Sequence, residues 1–433
     1  MFTPNPTDTE AKRLVYFPSL SAGAYASPIR KLQQVAPGIN YRFWDDTTPP
    51  EWRYEYFLLT AGHLFKKEQV RKDWDLERCL VFGDSGGFQF ASGALKWDMA
   101  IRDKIFHWLE NNSDIACNID LPPRLMFDGK FKEALSISHD NFKYFEKKQT
   151  GKTKFLNVVQ GSNPLEFDTW YHTVKDMEFG GWCIGSSRRL VDFMYILSVM
   201  IKEKEFLKPN NTWVHLLGIS KVSDFFILAQ IQRCLNLYTG NKITVSTDSS
   251  SPGQYPVFGQ VVWSPNWKDQ VFNMLYFPKD ASKINYPESG HVPSLINHPG
   301  VDYFTYDICK NWSTEAVSRA TYHNLYMYIY TAENAEMLIN TCPLEVMNEL
   351  IPNDLIVILK SIEEMFNCAD PTVIYERYRS YYTKFGGENV NNICKAVVEE
   401  FFDFSSVSVA QHEKSLKIAE KKNKPKKEKL TTT

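Results

Sequence analysis

The sequence contains no two cysteines at CxxC spacing. Its eight cysteines, Cys79, Cys117, Cys183, Cys234, Cys309, Cys342, Cys368 and Cys394, are scattered through 433 residues. That argues against a disulfide framework and for reduced thiols, as expected in a cytoplasm. There is no apolar run near the roughly 18 residues that a membrane span needs. The start, MFTPNPTDTEAKR, is polar, so no signal peptide is expected. There is no excess of either charge: 49 Lys and Arg face 51 Asp and Glu, for a net charge of −2. Any surface for nucleic acid must therefore be local. No internal repeat is evident. What is present is a core: 43% of residues are apolar and 14% aromatic, which excludes disorder over most of the length.

Short apolar runs recur, each ending in a small or acidic residue and followed by a helix-like stretch. They are Tyr54–Ala61, Cys79–Asp84, Ile115–Asp120, Phe155–Gln160, Gly181–Gly185, Trp213–Gly218 and Ile243–Asp248, with Arg13–Pro18 as a further candidate. Runs of this length suit buried parallel strands. From Asp84 onward their ends lie 36, 40, 25, 33 and 30 residues apart, and a βα unit needs about 30. The repetition predicts an α/β fold, a (β/α)8 TIM barrel, over residues 1–340; an open doubly wound sheet is the alternative. Amphipathic helices follow at Leu344–Leu350, Asp354–Phe366, Thr372–Phe385 and Asn392–Phe402, a helical C-terminal region over 341–411. Residues 412–433 are Lys-rich and are expected to form a disordered tail that solubilises the chain or touches phosphates.

Active-site groups of a parallel barrel come from the C-terminal strand ends. The acidic residues there are Asp84, Asp120 and Asp248. One such Asp is most simply a helix cap. Three facing one mouth would repel each other, a cost that function can explain. Gly83–Gln89 reads GDSGGFQ, where two glycines permit close backbone approach to a ligand and Phe88 offers a flat face for a base. Alone, such a turn is common.

DSGGFQ resembles the signature of the guanine transglycosylases, the enzymes that exchange guanine in tRNA and, in phages and genomic islands, in DNA. Other strand ends are similar in the same order, from about Val15 to His323: LLTAGHLF at Leu58–Phe65, NIDLPPR at Asn118–Arg124, VVQGS at Val158–Ser162, GWCIGS at Gly181–Ser186, HLLGIS at His215–Ser220 and TDSSSP at Thr247–Pro252. The resemblance implies that Asp248 attacks C1′ of the target nucleotide to form a covalent glycosyl-enzyme, and that Asp84 serves as general acid and base. This pairing parallels retaining glycosidases. It further implies that Asp120 and Gln160 read a guanine-like edge, aided by Ser85, Gln89 and the backbone of Gly181 and Trp182. Phe88 and Leu217 would sandwich the base.

Two departures qualify the resemblance. The family's structural zinc uses three cysteines and a histidine. Here Cys309 and His323 match two of these positions, while Phe304 and Tyr306 stand at the other two. A tetrahedral zinc needs four ligands. His291 and His298 are the candidates for the missing pair, and the alternative is a buried Cys309 thiol with no metal. The chemistry itself requires no cofactor. Secondly, Ser251–Tyr255 lacks the arginines with which bacterial tRNA enzymes grip an anticodon loop. The expected polymer is therefore DNA, with tRNA as the alternative. Guanine and a free 7-deazaguanine of the preQ0 type would be the exchanged bases. Arg124, Arg188 and Arg189 are candidates for phosphate contact. Competing classes are a non-catalytic nucleic-acid-binding paralogue and a nucleoside glycosidase. No membrane partner is expected, and a homodimer is compatible with the sequence. The expected compartment is the cytoplasm, the host's if a phage encodes the chain.

Overall fold

The computed structural model describes residues 10–19, 42–48, 53–91, 95–123, 130–185, 189–277 and 304–385, apart from the side chains of Phe88 and Ala91. Eight strands form one parallel sheet: β1 (Val15–Pro18), β2 (Tyr56–Thr60), β3 (Leu80–Asp84), β4 (Ile115–Cys117), β5 (Lys154–Val159), β6 (Gly181–Ile184), β7 (Trp213–Leu216) and β8 (Thr244–Ser249). Their spatial order is β1-β8-β7-β6-β5-β4-β3-β2. A parallel bridge between Ser19 and Leu58 brings β1 to β2, so the sheet nearly closes and the TIM-barrel expectation holds. Most of the runs are largely apolar because the strands are covered on both faces, one by the barrel interior and the other by helices; β8, TVSTDS, is the polar exception.

The outer layer contains α1 (Met99–Asn112), α2 (Phe131–Lys148), α3 (Pro164–Val174), α4 (Leu190–Lys202), α5 (Val222–Thr239) and α6 (Thr314–Thr341). Caps set where several begin. Asp98 accepts from Ile101 N at 2.7 Å, Asn163 from Glu166 N at 3.1 Å, and Ser313 from Ala316 N at 3.3 Å. The helical C-terminal region is present as α7 (Asn353–Asn367) and α8 (Pro371–Phe385), preceded by a 3-10 turn at Met347–Glu349. α7 packs on α5, and α8 on α4 and α7. Their buried faces, including Leu355, Ile358, Ile362, Tyr375 and Tyr382, join the same hydrophobic cluster as the barrel. Asn392–Phe402, Cys394 and the Lys-rich tail lie outside the described residues. Among the described residues, no helix is long and apolar enough to cross a membrane.

Between β8 and α6 the chain inserts an antiparallel hairpin, β9 (Gln260–Asn266) and β10 (Val271–Tyr276), with a bulge at Asn273/Met274. Nothing in the sequence pattern signalled it, and Pro265 within β9 weighs against a strand. Buried side chains of α6 hold it instead: Asn324 Oδ1 accepts from Val262 N at 2.8 Å, and His323 Nε2 lies 2.8 Å from Val262 O.

Inside the barrel, Phe17 on β1, Phe82 on β3, and Trp213 and His215 on β7 meet. These strands are not neighbours in the sheet, so the side chains meet across the interior. Phe82 stacks on the His215 ring with centroids 3.9 Å apart, and Phe17 approaches Phe82 at 5.3 Å and Trp213 at 6.4 Å. This aromatic plug fills the barrel and floors the mouth. Since strand side chains alternate, the interior placing of Phe82 carries Asp84 to the same face, and that of Trp213 carries His215.

Candidate active site

Asp84 is the last residue of β3 and pairs in register with Thr60, the last of β2. Its chain then turns sharply at Gly86, whose φ of +98° favours glycine. A Cβ on Gly86 would stand 2.7 Å from the Gly62 Cα, so the turn closes only with this pair of glycines. The turn returns the Gly86 N–H to Asp84 Oδ1 at 3.2 Å, and the Cys117 thiol approaches the same oxygen at 3.8 Å. Burial raises the pKa of Asp84. The Asp248 charge pushes the same way, while Gly86 N–H, the Thr60 hydroxyl and His215 oppose it.

Asp248 lies near the end of β8, level with Phe17 of β1. Its Oδ1 accepts from Gly218 N at 2.7 Å and lies 3.3 Å from His215 Nε2. Gly218 has a φ of +68°, which suits glycine and aims its N–H at the carboxylate. Below, His215 Nδ1 is 2.8 Å from Ser246 Oγ, which accepts from Trp213 Nε1 at 2.7 Å. Asp248 and Asp84 thus face one mouth, close enough for each other's charge to matter.

Asp120 lies beyond the strand to which the sequence pattern assigned it. β4 ends at Cys117, and 118–120 continue as a loop. Two buried side chains of α2 hold that loop: Ser138 Oγ accepts from Leu121 N at 3.0 Å, and Asn141 Nδ2 donates to Ile119 O at 3.2 Å. Gln160, just past β5, donates from Nε2 to Asp120 Oδ2 at 2.6 Å. Glu166 accepts from Ser162 N at 2.7 Å and anchors the turn after Gln160. Asp120 and Gln160 are both 3% exposed. Burial pushes the Asp120 carboxyl up to about 7, against the hydrogen bond from Gln160 and with the Asp84 charge. The Gln160 Oε1 is buried and has no hydrogen-bond partner among the described residues.

The structure therefore brings Asp84, Asp248, Asp120 and Gln160 to one end of the barrel, with the partly buried Leu217 beside them past the end of β7. Four other expected contacts are placed differently. Gly181 and Trp182 begin β6, and the mouth end of that strand is Ile184–Gly185, where Gly185 N meets Val159 O at 3.0 Å. At about 3.3 Å per residue, Gly181 is roughly 13 Å below Gly185. The Trp182 indole donates to Glu205 Oε1 at 3.0 Å and packs on Tyr171 of α3, outside the barrel. The base-contact expectation for Gly181 and Trp182 is corrected on this ground. Ser85 is fully buried and its hydroxyl donates to Asn118 O at 3.3 Å. Gln89 is 7% exposed, with its amide Nε2 2.8 Å from His63 Nε2. Both support the turn that carries Asp84. The Phe88 side chain, Arg124 and Arg188 lie outside the described residues. Arg189 pairs with Asp192 at 2.7 Å and donates to Ser162 O at 2.8 Å, so its charge is already engaged.

His215 is the residue that sequence reasoning passed over, as one letter of HLLGIS. The usable signal was its place: Trp213, His215 and Leu217 alternate along a strand that ends at the mouth, and a histidine on an interior face needs polar partners.

Cys309 is buried, and burial pushes its thiol well above the usual range. His323 is fully buried and lowered to about 4, with only the Val262 carbonyl opposing the effect of burial. Phe304 and Tyr306, at the family's other cysteine positions, are buried too. Among the described residues no group of three or more His, Cys, Asp or Glu could hold a metal. Those residues thus supply half a zinc set, and His291 and His298 lie outside them.

Set against known proteins, the chain matches no family model and no curated protein sequence.

Proposed function

We propose that this chain exchanges a guanine base in DNA for a 7-deazaguanine of the preQ0 type, through a covalent intermediate on Asp248. The observation that carries the reading is the pair Asp84 and Asp248. Both stand at the mouth of a filled barrel, coupled by charge, with a buried Asp120–Gln160 pair at the same end. In the first half-reaction an Asp248 oxygen bonds to C1′ as the C1′–N9 bond breaks, and Asp84 gives its proton to the departing guanine. In the second, the incoming base yields its proton to Asp84 as its nitrogen attacks C1′ and frees Asp248. A carboxyl raised by burial suits a group that must hold a proton and give it up near neutrality. Asp120, once ionised, accepts from the N1–H and 2-amino groups of guanine. The Gln160 Oε1, which has no partner among the described residues, is a further acceptor for the same donor-rich edge.

The preference for DNA rests on the rim. The groups that read the base are blind to the sugar, so discrimination falls to contacts outside the mouth. Ser251–Gln254 and Tyr255–Phe258 form short helical turns directly after Asp248, with no arginine among them. The target base must leave its stack to reach Asp248, at a cost of a few kcal/mol in a duplex. Purified protein offered labelled guanine or preQ0, with either DNA or tRNA, tests the reading. Label in DNA is expected, falling as salt rises. Label in tRNA alone overturns the DNA assignment, and label in neither overturns base exchange.

A further inference from the structure

We propose that His215 is a positioning residue for Asp248, held by the Trp213–Ser246 pair as its Nε2–H tautomer so that one carboxylate oxygen is pinned and the other is free for the substrate. The assignment rests on the reading of Asp248 as nucleophile for its purpose, but on hydrogen-bond logic for its geometry. Trp213 Nε1 can only donate, so Ser246 Oγ accepts from it at 2.7 Å. An ionised Asp248 can only accept, so the His215 Nε2 facing it at 3.3 Å carries the proton. A neutral ring then has a bare Nδ1, which accepts the remaining Ser246 hydroxyl proton at 2.8 Å. Every donor in this chain then has one acceptor, whereas moving the ring proton to Nδ1 would leave a bare Nε2 against the Asp248 carboxylate, acceptor against acceptor.

The surroundings hold the ring as well. His215 is fully buried and lies flat against Phe82, at 23° between planes, with Phe17 against it at 6.0 Å. It cannot swing toward a substrate without opening the barrel core. Gly218 N–H reaches the same Oδ1 from the other side at 2.7 Å. Two donors on one oxygen orient the carboxylate and turn Oδ2 to the mouth.

The test combines kinetics with a direct readout of the tautomer. In ¹⁵N-histidine-labelled protein at pH 8, the His215 resonances, identified by their loss in His215→Gln, should show the proton on Nε2. In Ser246→Ala that preference should weaken. In base-exchange assays His215→Phe, which keeps the stack and removes the donor, should lower kcat about ten- to a hundredfold, the cost of one hydrogen bond to a charged group. KM for the base should stay within about twofold, because Asp120 and Gln160 are untouched. His215→Gln, which restores an N–H donor, should recover part of the loss. Ser246→Ala should cost less than His215→Phe, and serves as the kinetic arm should His215→Phe fail to fold. A proton on Nδ1 in the wild type overturns the proposal. So does a rise in KM at constant kcat. If the wild type exchanges no base yet shows the Nε2–H signature and its response to Ser246→Ala, the base-exchange reading falls and the held carboxylate stands.

Discussion

Asp248 and Asp120 stand at the same end of the barrel and are treated in opposite ways. Asp248 has two N–H groups on one oxygen, one from a backbone turn and one from a buried ring, and its side chain is 15% exposed. Among the described residues, Asp120 takes its side-chain hydrogen bond from the Gln160 amide and is 3% exposed, with its carboxyl pushed up to about 7. The difference teaches that the type of residue at a strand end says little about its task. A carboxylate that must attack from one direction needs donors that orient it. On the proposed reading, a carboxylate that receives a ligand's donors is better left with vacant lone pairs in a dry site, where each new hydrogen bond counts for more.

The sharpest break of that comparison is Asp248→Asn. It should end formation of the covalent adduct with DNA and lower labelled-guanine exchange by about 10⁴-fold or more, since an amide is a poor nucleophile. Near-normal exchange would remove Asp248 from the mechanism. Asp84→Asn should cost about 10²–10⁴-fold with the fold intact, as judged by circular dichroism.

Next in size is a pH effect on binding of the base, which falls to Asp120. On the proposed reading its ionised form takes both donors of a guanine edge, whereas a protonated carboxyl turns one oxygen into a donor, and burial pushes this carboxyl up to about 7. Hence kcat/KM for the base should fall by about tenfold per unit as pH drops below about 7. A flat profile between pH 5.5 and 8 would contradict this.

A stability measurement sharpens the same contrast. A carboxyl raised in the folded state is bound to its proton there at pH values where the unfolded chain has released it. Stability from this group is therefore present at low pH and is lost as pH rises toward 7. Asp120→Asn should accordingly stabilise the protein at pH 8 by roughly 1–3 kcal/mol, with the gain shrinking toward pH 4. Denaturant melts at the two pH values would show whether the gain exists. A loss of stability at pH 8 would mean that the carboxylate is better satisfied than the Gln160 bond alone provides.

The smallest effect concerns the region behind the barrel. Zinc near one per chain that disappears in Cys309→Ser would make Cys309 and His323 ligands. Zinc near zero leaves a buried thiol, for which Cys309→Ser should cost about 1–3 kcal/mol by burying a hydroxyl in place of a less polar thiol.

Much of this molecule is legible from sequence. Each of the eight runs contains a strand, within a few residues, because a strand covered on both faces leaves a mainly apolar signal. Asp84 and Asp248 were legible for the same reason, being the polar residues at which those runs stop. Gly181 and Trp182 were carried over from the resemblance although they open the run Gly181–Gly185, and the parallel pairing of β6 with β5 and β7 keeps that end away from the mouth. Ser85 was a ligand contact only by the resemblance, and nothing local shows which way its hydroxyl turns. Here the Asn118 carbonyl takes it inward.

The parallel strands, their succession along the chain and the acidic residues that end three of the runs were determined by the sequence alone, through apolar runs, their spacing and the polar residues at which they stop. Only the tertiary structure decided which of those residues touch. His215 meets Asp248 and Ser246 across strands 30 or more positions apart in the chain, and Gln160 meets Asp120 over a separation of 40. Local pattern specifies an element and its faces, because each face follows from a period of two or 3.6 residues. Hydrogen-bond partners are set by the registers between strands and by barrel closure, and these depend on every element at once.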